Sequence, residues 1–280
     1  RKVIMNKEKE FGNKIFIIED ASHALGSFYK GKYVGSCAFS DMTVMSFHPV
    51  KHITTGEGGA VLTNDEILYK KLKRLRSHGI TNTPGEFVYK DQAFGNSSFV
   101  DLQSATEDPQ LVNPWYYEQV DLGYNYRITD IQCALGTSQL KKLHDFCKRR
   151  SEIANVYNGA FSGIESIQIP FESEDCSSNF HLYVLLINFN QIGMERAQLM
   201  IELKRCGIQT QVHYIPVYTQ PFYRKTFGTS WGDCPNAEEY YQKCVTIPLF
   251  PTMSDSDVER VIFEVTNIAR SRKGKYSFTE

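Results

Sequence analysis

Apolar runs of strand length alternate along the chain with stretches in which apolar residues recur at helical spacing. Three runs in the first part of the chain, 15–18, 42–47 and 59–63, predict β-strands. The first run is continuously apolar, as in a parallel strand covered on both faces, and it ends in Glu19 and Asp20. Open α/β sheets bind ligands at the carboxyl ends of their strands, so we expect a site beside these acids.

Helix signals separate the strands. The pattern predicts a polar helix over 1–10, ended by Gly12, and a basic helix over 65–77, ended by Gly79. A basic face of this kind is more often solvated surface than an anion-binding site. Residues 81–114 are rich in Thr, Asn, Gly, Ser, Asp and Pro without periodicity, which predicts a long loop or insertion.

A further helix is predicted from Thr129, which has the position of an N-cap, through apolar positions as far as Tyr157. We expect this helix to cross from a first domain, residues 1–150, into a second, residues 151–280. The second domain is predicted as a smaller α/β unit. Its pattern gives a strand over 181–189, a helix over 195–206, a strand over 208–214 and a last helix after the capping-box-like run 254–257.

Composition narrows the classes of function. The 280 residues are 41% hydrophobic and 22% charged, which suits a soluble protein of two ordinary domains. The 31 basic and 32 acidic residues give a net charge of −1, so the charge balance does not indicate binding to nucleic acid or to an anionic membrane surface. The longest apolar runs are far shorter than a membrane span, and no signal peptide opens the chain. A small-molecule partner and a cytoplasmic location are the better expectations.

Cysteines and histidines give no metal or disulfide pattern. The seven cysteines are an odd number without a C-x-x-C pair, which predicts reduced, mostly buried thiols. His48 and His52 have metal-ligand spacing, but they flank a Pro and a Lys instead of lying on a clear helix. We therefore expect no metal site.

Lys51 is the first candidate for chemistry. A lysine by itself is most often a surface residue, but this one lies between the second strand and the glycine cluster 56–59. Glycines let the backbone approach a ligand closely, and a lysine near an acid-tipped strand suits a Schiff-base cofactor such as pyridoxal phosphate. Asp20 would then keep the ring nitrogen protonated, although it could equally be a helix N-cap.

Three other polar residues stand near these candidates. His23 could hold Asp20 in place or be a partly buried histidine without such a role. Ser46 precedes the Lys51 loop, where a hydroxyl could donate to a phosphate oxygen, although single serines carry little information. Asn125 lies between two tyrosines and could belong to a turn or an interface.

Four segments in this order resemble a known family. They are IEDASHALG at 18–26, SFHPVK at 46–51, TTGEGG at 54–59 and GYNYRITDIQ at 123–132. They are similar to the DegT/DnrJ/EryC1/StrS sugar aminotransferases, which implies an α/β fold of type I for pyridoxal-phosphate enzymes. This fold has a mostly parallel central sheet and a smaller C-terminal α/β domain. The resemblance continues to about residue 250 through 178–183 and 212–216.

The resemblance implies roles at matching positions. Lys51 would carry the cofactor as a Schiff base, Asp20 would pair with its ring nitrogen, and His23 would contact it. Ser46 would bind the phosphate, and Asn125 would reach the phosphate of a neighbouring subunit, which implies a homodimer with shared active sites. The residues implied near a nucleotide-sugar pocket are His181, His213, Tyr214, Ile215 and Pro216.

Within the family, the runs 46–51, 76–79 and 212–218 look most like members that serve pseudaminic acid biosynthesis. This implies transfer of an amino group from L-glutamate to C4 of a UDP-linked 4-keto-6-deoxy-N-acetyl-L-altrosamine type of sugar. A perosamine- or aminoarabinose-type sugar, or a catalytically inactive fragment, are the alternatives. Dehydratase relatives carry His where aminotransferases carry Lys, so Lys51 favours transamination.

The family's full chain begins well before the position of Arg1, and its first part supplies a phosphate cradle and a ring that stacks on the pyridine. We therefore expect that this sequence starts inside a domain and that by itself it binds the cofactor weakly or not at all. The loop 81–114 is also longer than usual for the family, which bears on the choice of sugar.

Overall fold

The structure, a computed structural model, describes residues 2–94 and 112–270. The chain forms two compact units whose segments interleave in sequence. Unit 1 comprises Arg1–Ala21, Gly35–His48 and Thr55–Gly136, and unit 2 comprises Ser22–Val34, Pro49–Thr54 and Thr137–Glu280. The domain boundary near residue 150 stays a prediction.

The secondary structure of the described residues mixes short strands with helices. The strands are β1 Ile18–Asp20, β2 Phe28–Tyr29, β3 Lys32–Tyr33, β4 Met42–Ser46, β5 Gly59–Leu62, β6 Ile80–Thr81, β7 Glu118–Gln119, β8 Ile167–Gln168, β9 Cys176–Ser177, β10 Tyr183–Ile187 and β11 Cys244–Ile247. The helices are α1 Lys2–Phe11, α2 Glu66–Arg76, α3 Lys90–Ala93, α4 Asp130–Leu140, α5 Leu143–Phe161, α6 Phe189–Ile192, α7 Arg196–Arg205, α8 Pro221–Phe227, α9 Pro235–Lys243 and α10 Asp255–Arg270.

A three-stranded sheet of order β1-β4-β5 forms the frame of unit 1. Strands β1 and β4 are parallel, with Asp20 opposite Val44, whereas β5 returns antiparallel to β4. The predicted strands over 42–47 and 59–63 are confirmed to within one residue. The carboxyl ends of β1 and β4 therefore lie side by side, where the sequence predicted a site.

The prediction of a strand over 15–18 covered on both faces is wrong for the described structure. The strand begins only at Ile18, and Phe16 and Ile18 are 45% and 61% exposed. Among the described residues β1 is an edge strand of this sheet, with β4 as its single strand neighbour. A continuous apolar run was therefore not a sufficient signal of burial.

The basic helix of unit 1 has the predicted caps. Asp65 accepts hydrogen bonds from the backbone N–H groups of Ile67 and Leu68 at 2.9 and 3.1 Å. Gly79 follows with φ +70°. A Cβ at this glycine would lie 1.8 Å from the carbonyl oxygen of Asp121, so the position requires glycine on two counts.

Part of the predicted loop 81–114 has its own structure. It contains a 3₁₀ turn over Pro84–Glu86 and helix α3, and Phe87, Ala93 and Phe94 form a small buried cluster. Residues 95–111 lie outside the described part of the chain. The absence of periodicity therefore hid short elements that local contacts stabilise.

The predicted continuous helix from Thr129 is wrong, because two helices, α4 and α5, replace it. The Thr129 hydroxyl accepts from the N–H of Gln132 while the Gln132 side chain accepts from the N–H of Thr129, which confirms the cap. At the other end the N–H of Lys142 bonds to Gln139, three residues back, and this tightened turn ends α4.

In unit 2, β10 lies between β11 and β8 in an antiparallel sheet. The strand predicted over 181–189 is confirmed, although it begins later, at Tyr183, and ends earlier, at Ile187. The strand predicted over 208–214 is wrong. Only Gln211 forms a bridge there, opposite Thr246. One of the two strands that border β10 is β11, which the sequence did not predict because its four residues are too short to show a period.

The core of unit 2 lies between this sheet and helices α5, α7 and α10. Tyr157 of α5 and Tyr183 of β10 are 0% exposed, and their ring centroids are 5.0 Å apart. The Tyr157 hydroxyl donates to the carbonyl of Pro248 at 2.8 Å, so the buried phenol keeps a partner. Burial of each such ring stabilises the unit by about 2 kcal/mol.

All seven cysteines are free thiols, but the prediction that most are buried is wrong. Only Cys244 is buried, whereas Cys133, Cys176 and Cys234 are exposed. None of the helices in the described ranges is long and apolar enough to cross a membrane.

Candidate active site

Two predicted cofactor residues of unit 1 lie at the carboxyl edge of its sheet. Asp20 is the last residue of β1, and the N–H of Ala21 bonds to the carbonyl of Val44 at 2.9 Å. Ser46 is the last residue of β4, and its hydroxyl accepts from the N–H of His48 at 3.4 Å. The parallel pairing of the two strands therefore places a carboxylate and a hydroxyl on the same edge.

Asn125 lies elsewhere in unit 1, beside the end of α2. It forms an isolated antiparallel bridge with Ser77, and the flanking Tyr124 and Tyr126 bond to backbone carbonyls of α2. The rings of the two tyrosines stack at 4.8 Å between centroids and are exposed. The structure thus fixes Asn125 on an exposed segment by its backbone.

Lys51 lies in unit 2 on the irregular segment Pro49–Thr54. Its two following neighbours, His52 and Ile53, are only 5% and 4% exposed. Lys51 itself is half-buried. The buried pair therefore holds the segment in place while the lysine reaches the surface of the unit.

Three histidines of unit 2, His23, His52 and His181, form a group that we call the histidine cluster. The ring of His181 lies 4.2 Å from that of His23 and 5.2 Å from that of His52, between centroids. His181 and His52 are buried. The Nδ1 atom of His181 is buried without a hydrogen-bond partner among the described residues, so it can accept or donate a bond to a bound molecule.

Two members of the cluster, His52 and His181, are held neutral. Burial, and next the charge of Arg150, lower the pKa of His52 to about 4. Burial, and next the neighbouring His23 and His52, lower the pKa of His181 to about 3, and the charge of Lys51 acts in the same direction. Both imidazoles are therefore neutral at pH 7, where each can donate one hydrogen bond and accept another.

Arg150 supplies a buried positive charge beside the cluster. Its side chain is on α5, and the residue is 5% exposed. One guanidinium nitrogen, Nη1, donates to the carbonyls of Phe180, His181 and Leu249 at 3.1, 3.2 and 2.8 Å. Arg150 thus fixes the backbone of His181 and opposes protonation of the histidines.

His213 and Tyr214 approach the same cluster. The Nδ1 atom of His213 lies 2.8 Å from the Thr246 hydroxyl, and burial, followed by the charge of Lys51, lowers the pKa of His213. The Tyr214 ring is 57% exposed and lies 6.5 Å from the ring of His23. Ile215, next in sequence, is 50% exposed, and Pro216 is half-buried at the start of a 3₁₀ turn.

Unit 2 therefore brings five of the predicted residues into one neighbourhood: Lys51, His23, His181, His213 and Tyr214. Arg150 and Asn179 belong to the same neighbourhood but received no role from the sequence. Asn179 lies inside the segment 178–183 that carried the family resemblance, which was the one available signal. In the part of the chain that the structure describes, no group of three or more His, Cys, Asp or Glu could hold a metal ion.

Solved structures with the same architecture are enzymes of one class. PseC of Helicobacter pylori, an aminotransferase of pseudaminic acid biosynthesis, superposes with a TM-score of 0.78 at 29% identity over 96% of this chain and 63% of its own. The sugar aminotransferase Spr1654 of Streptococcus pneumoniae, in its PLP form, gives 0.76 at 28% identity over 96% and 64%. The fold is that of the type I pyridoxal-phosphate transferases, as predicted.

The sequence matches the DegT/DnrJ/EryC1/StrS aminotransferase family over residues 10–266, and the chain belongs to this family. MJ1066 of Methanocaldococcus jannaschii is 40% identical over 92% of the chain and 61% of its own length. The spore coat polysaccharide biosynthesis protein SpsC of Bacillus subtilis is 38% identical over 91% and 60%. A UDP-4-amino-4,6-dideoxy-N-acetyl-beta-L-altrosamine transaminase of Campylobacter jejuni is 36% identical over 98% and 63%.

The chain thus spans about three-fifths of the length of these curated relatives. The family and its solved neighbours confirm pyridoxal phosphate as the cofactor. The side chains predicted to bind pyridoxal phosphate have functional groups that suit it: a primary amine at Lys51, a carboxylate at Asp20 and a hydroxyl at Ser46. The unpartnered Nδ1 of His181 adds a buried polar atom that a bound molecule would satisfy.

Proposed function

We propose that the chain provides the cofactor lysine of an aminotransferase that acts on a nucleotide-linked keto sugar. The observation that carries the proposal is the neighbourhood of Lys51. The lysine precedes the buried His52 and Ile53, and its charge contributes to the lowered pKa of His52, His181 and His213. Membership of the aminotransferase family supports the same conclusion.

The bound cofactor would supply an electron sink that lets an amino group pass from one carbon skeleton to another. Lys51 would hold the cofactor covalently, and its amine would move the proton at the substrate carbon as a general base and acid. Asp20 would pair with the ring nitrogen and stabilise its protonated form. Ser46 would donate to a phosphate oxygen, and His23 would contact the cofactor from the cluster.

The substrates in this proposal are L-glutamate and a UDP-linked 4-keto-6-deoxy sugar of the N-acetyl-L-altrosamine type, as in pseudaminic acid biosynthesis. The name of the Campylobacter jejuni relative supports this sugar. The name of the Bacillus subtilis relative leaves another polysaccharide precursor as the alternative. Contacts to the nucleotide sugar are assigned to His181, His213, Tyr214, Ile215 and Pro216.

We assign Asn125 to the phosphate site of a neighbouring subunit in a homodimer. The exposed position of its segment supports this role, since a residue that reaches another subunit has to lie on the surface. The cytoplasmic location belongs to the same proposal. Seven free thiols suit a reducing compartment.

Replacement of Lys51 tests the proposal. The chain is incubated with pyridoxal phosphate, reduced with borohydride and digested, and the modified peptide is identified by mass spectrometry. Because this chain is expected to bind the cofactor weakly, pyridoxal phosphate is added in large excess. We expect the cofactor mass on a fraction of the wild-type chains at Lys51, and turnover lowered by more than about a thousandfold in Lys51→Ala, because both the covalent link and the proton transfer are lost. The control, Lys225→Ala, removes an exposed lysine of α8 and should behave as wild type.

Near-normal turnover by Lys51→Ala would contradict the assignment. Cofactor on Lys51 without amino transfer from L-glutamate would favour the inactive-fragment alternative. Rates with UDP-, dTDP- and GDP-linked keto sugars then distinguish the pseudaminic type of substrate from the perosamine and aminoarabinose types.

A further inference from the structure

Asn179 is buried in unit 2 and makes hydrogen bonds to three segments of the chain. It is 3% exposed and belongs to neither a helix nor a strand. Its own segment is fixed in part by its side chain, because the Oδ1 atom accepts from the N–H of His181 at 3.2 Å. The other bonds lead to two segments that are distant in sequence.

The first of these segments, 22–27, carries His23. The Nδ2 atom of Asn179 donates to the carbonyls of His23 and Leu25, both at 2.9 Å. The backbone N–H of Asn179 donates to the hydroxyl of Ser27 at 3.1 Å. Both hydrogens of the amide are therefore used to hold this segment.

The second segment, 49–54, carries Lys51. The Nε2 atom of His52 lies 3.1 Å from the carbonyl oxygen of Asn179, which requires a hydrogen on Nε2. The Nδ1 atom of the same ring then has a lone pair and lies 3.5 Å from Asn179 Nδ2, whose two hydrogens already go to the carbonyls of His23 and Leu25. His52 is therefore tied to Asn179 by the Nε2 bond, and a hydrogen on Nδ1 would face the amide hydrogens.

We propose that Asn179 is a positioning residue that sets His23 and Lys51 relative to each other. The reason is geometric: a single buried residue bonds to both segments, and neither segment is part of a strand or helix around these residues. The inference rests on the proposed function of Lys51 for its catalytic meaning. The effect on the segments themselves does not depend on that function.

The variant Asn179→Asp removes the amide donors and puts a carboxylate oxygen in their place. It keeps the size of the side chain, the Oδ1 acceptor and both backbone bonds, and it replaces Nδ2 by an oxygen that faces the carbonyls of His23 and Leu25. The matched control is Asn158→Asp, also in unit 2. Asn158 uses its Oδ1 to accept from the Tyr183 hydroxyl at 2.6 Å, so aspartate preserves this bond.

Hydrogen–deuterium exchange of the cofactor-free chain, read by mass spectrometry, gives the first measurement. We expect exchange in peptides over 22–27 and 49–54 to be about tenfold faster in Asn179→Asp, with little change in α5 and β10. The Asn158→Asp control should leave both segments as in the wild type. Unchanged exchange in the two segments, or an equal increase throughout unit 2, would overturn the proposal.

Ser27→Ala serves as a second variant in case Asn179→Asp does not fold. It removes the acceptor for the Asn179 N–H on one side only, so exchange should increase over 22–27 and remain unchanged over 49–54. Faster exchange in both segments, or in neither, would contradict the proposal that Asn179 positions the two segments.

The second measurement separates positioning from a general loss of folded protein. The value of kcat is divided by the fraction of chains with cofactor fixed to Lys51, which gives kcat per loaded chain. We expect kcat per loaded chain to fall at least about tenfold in Asn179→Asp, because the proton-transfer geometry is displaced. A merely structural role would lower the loaded fraction and leave kcat per loaded chain unchanged. If the wild-type chain takes up no cofactor even in large excess, this chain by itself does not carry the proposed function, while the exchange measurement still decides the role of Asn179.

Discussion

His52 and His181 change their protonation behaviour when unit 2 folds. Both are buried, and positive neighbours add to the effect of burial, so their pKa values are lowered to about 4 and about 3. In the local sequence His52 shows only a metal-ligand spacing with His48, because its partner Asn179 lies 127 residues away in the chain. Burial and long-range contacts, which decide a histidine's chemistry, are not visible in local sequence.

The lowered pKa values predict an acid-sensitive fold. Below about pH 6.5 His52 binds a proton in the unfolded chain, whereas in the folded chain it binds one only near pH 4. The free energy of unfolding therefore falls as the pH falls from about 6.5 to about 4. The charged or titratable groups that act on His52 are Arg150, His23 and Lys51. Each such histidine contributes a slope of up to about 1.4 kcal/mol per pH unit.

Urea unfolding at pH 7 and pH 5 measures the slope. We expect it to be shallower in His52→Gln than in the wild type and unchanged in His144→Gln, which removes an exposed histidine of α5. Equal slopes in all three proteins would show that His52 titrates normally in the folded state.

Elements with local signals were predicted well. Helix α2 has the N-cap Asp65 and the stop at Gly79, and α4 has the reciprocal cap of Thr129 and Gln132. These signals work because a cap is satisfied within a few residues of chain. Strand β11 was missed, and the strand over 208–214 was wrongly predicted, because strand pairing depends on partners far away in sequence.

Gly79 provides a test at the element scale. Alanine there would have to adopt φ near +70° and would meet the carbonyl of Asp121. We expect Gly79→Ala to lower the free energy of unfolding by more than about 1 kcal/mol. Gly85→Ala, where an added Cβ meets no atom within 4 Å, should change it by less than about 0.5 kcal/mol. Similar losses for the two variants would show that the close approach to Asp121 is not required.

At the scale of the whole molecule, binding of the cofactor should stabilise the folded chain. A ligand that binds only the folded chain stabilises it by about 2.7 kcal/mol at a hundredfold excess over its Kd. We expect pyridoxal phosphate to raise the Tm of the wild type in a concentration-dependent way, and to raise that of Lys51→Ala much less, because the covalent link is absent. An equal shift in both proteins would indicate binding that does not involve Lys51.

The sequence by itself determined the family, the cofactor and the capped helices. Each of these depends on short runs of residues, such as SFHPVK at 46–51, whose chemistry is local. It also pointed to Lys51 as the candidate amine, because this lysine lies between the second strand and the glycine cluster 56–59.

Only the tertiary structure decided how Lys51 is surrounded. The histidine cluster and the bonds of Asn179 join segments that are more than a hundred residues apart, such as Asn179 and His23, and the buried Arg150 bonds to carbonyls 30 to 99 residues away. The physical reason is that burial and buried hydrogen bonds depend on which segments meet, and a periodic pattern in the sequence shows which face of an element is apolar but not what covers it.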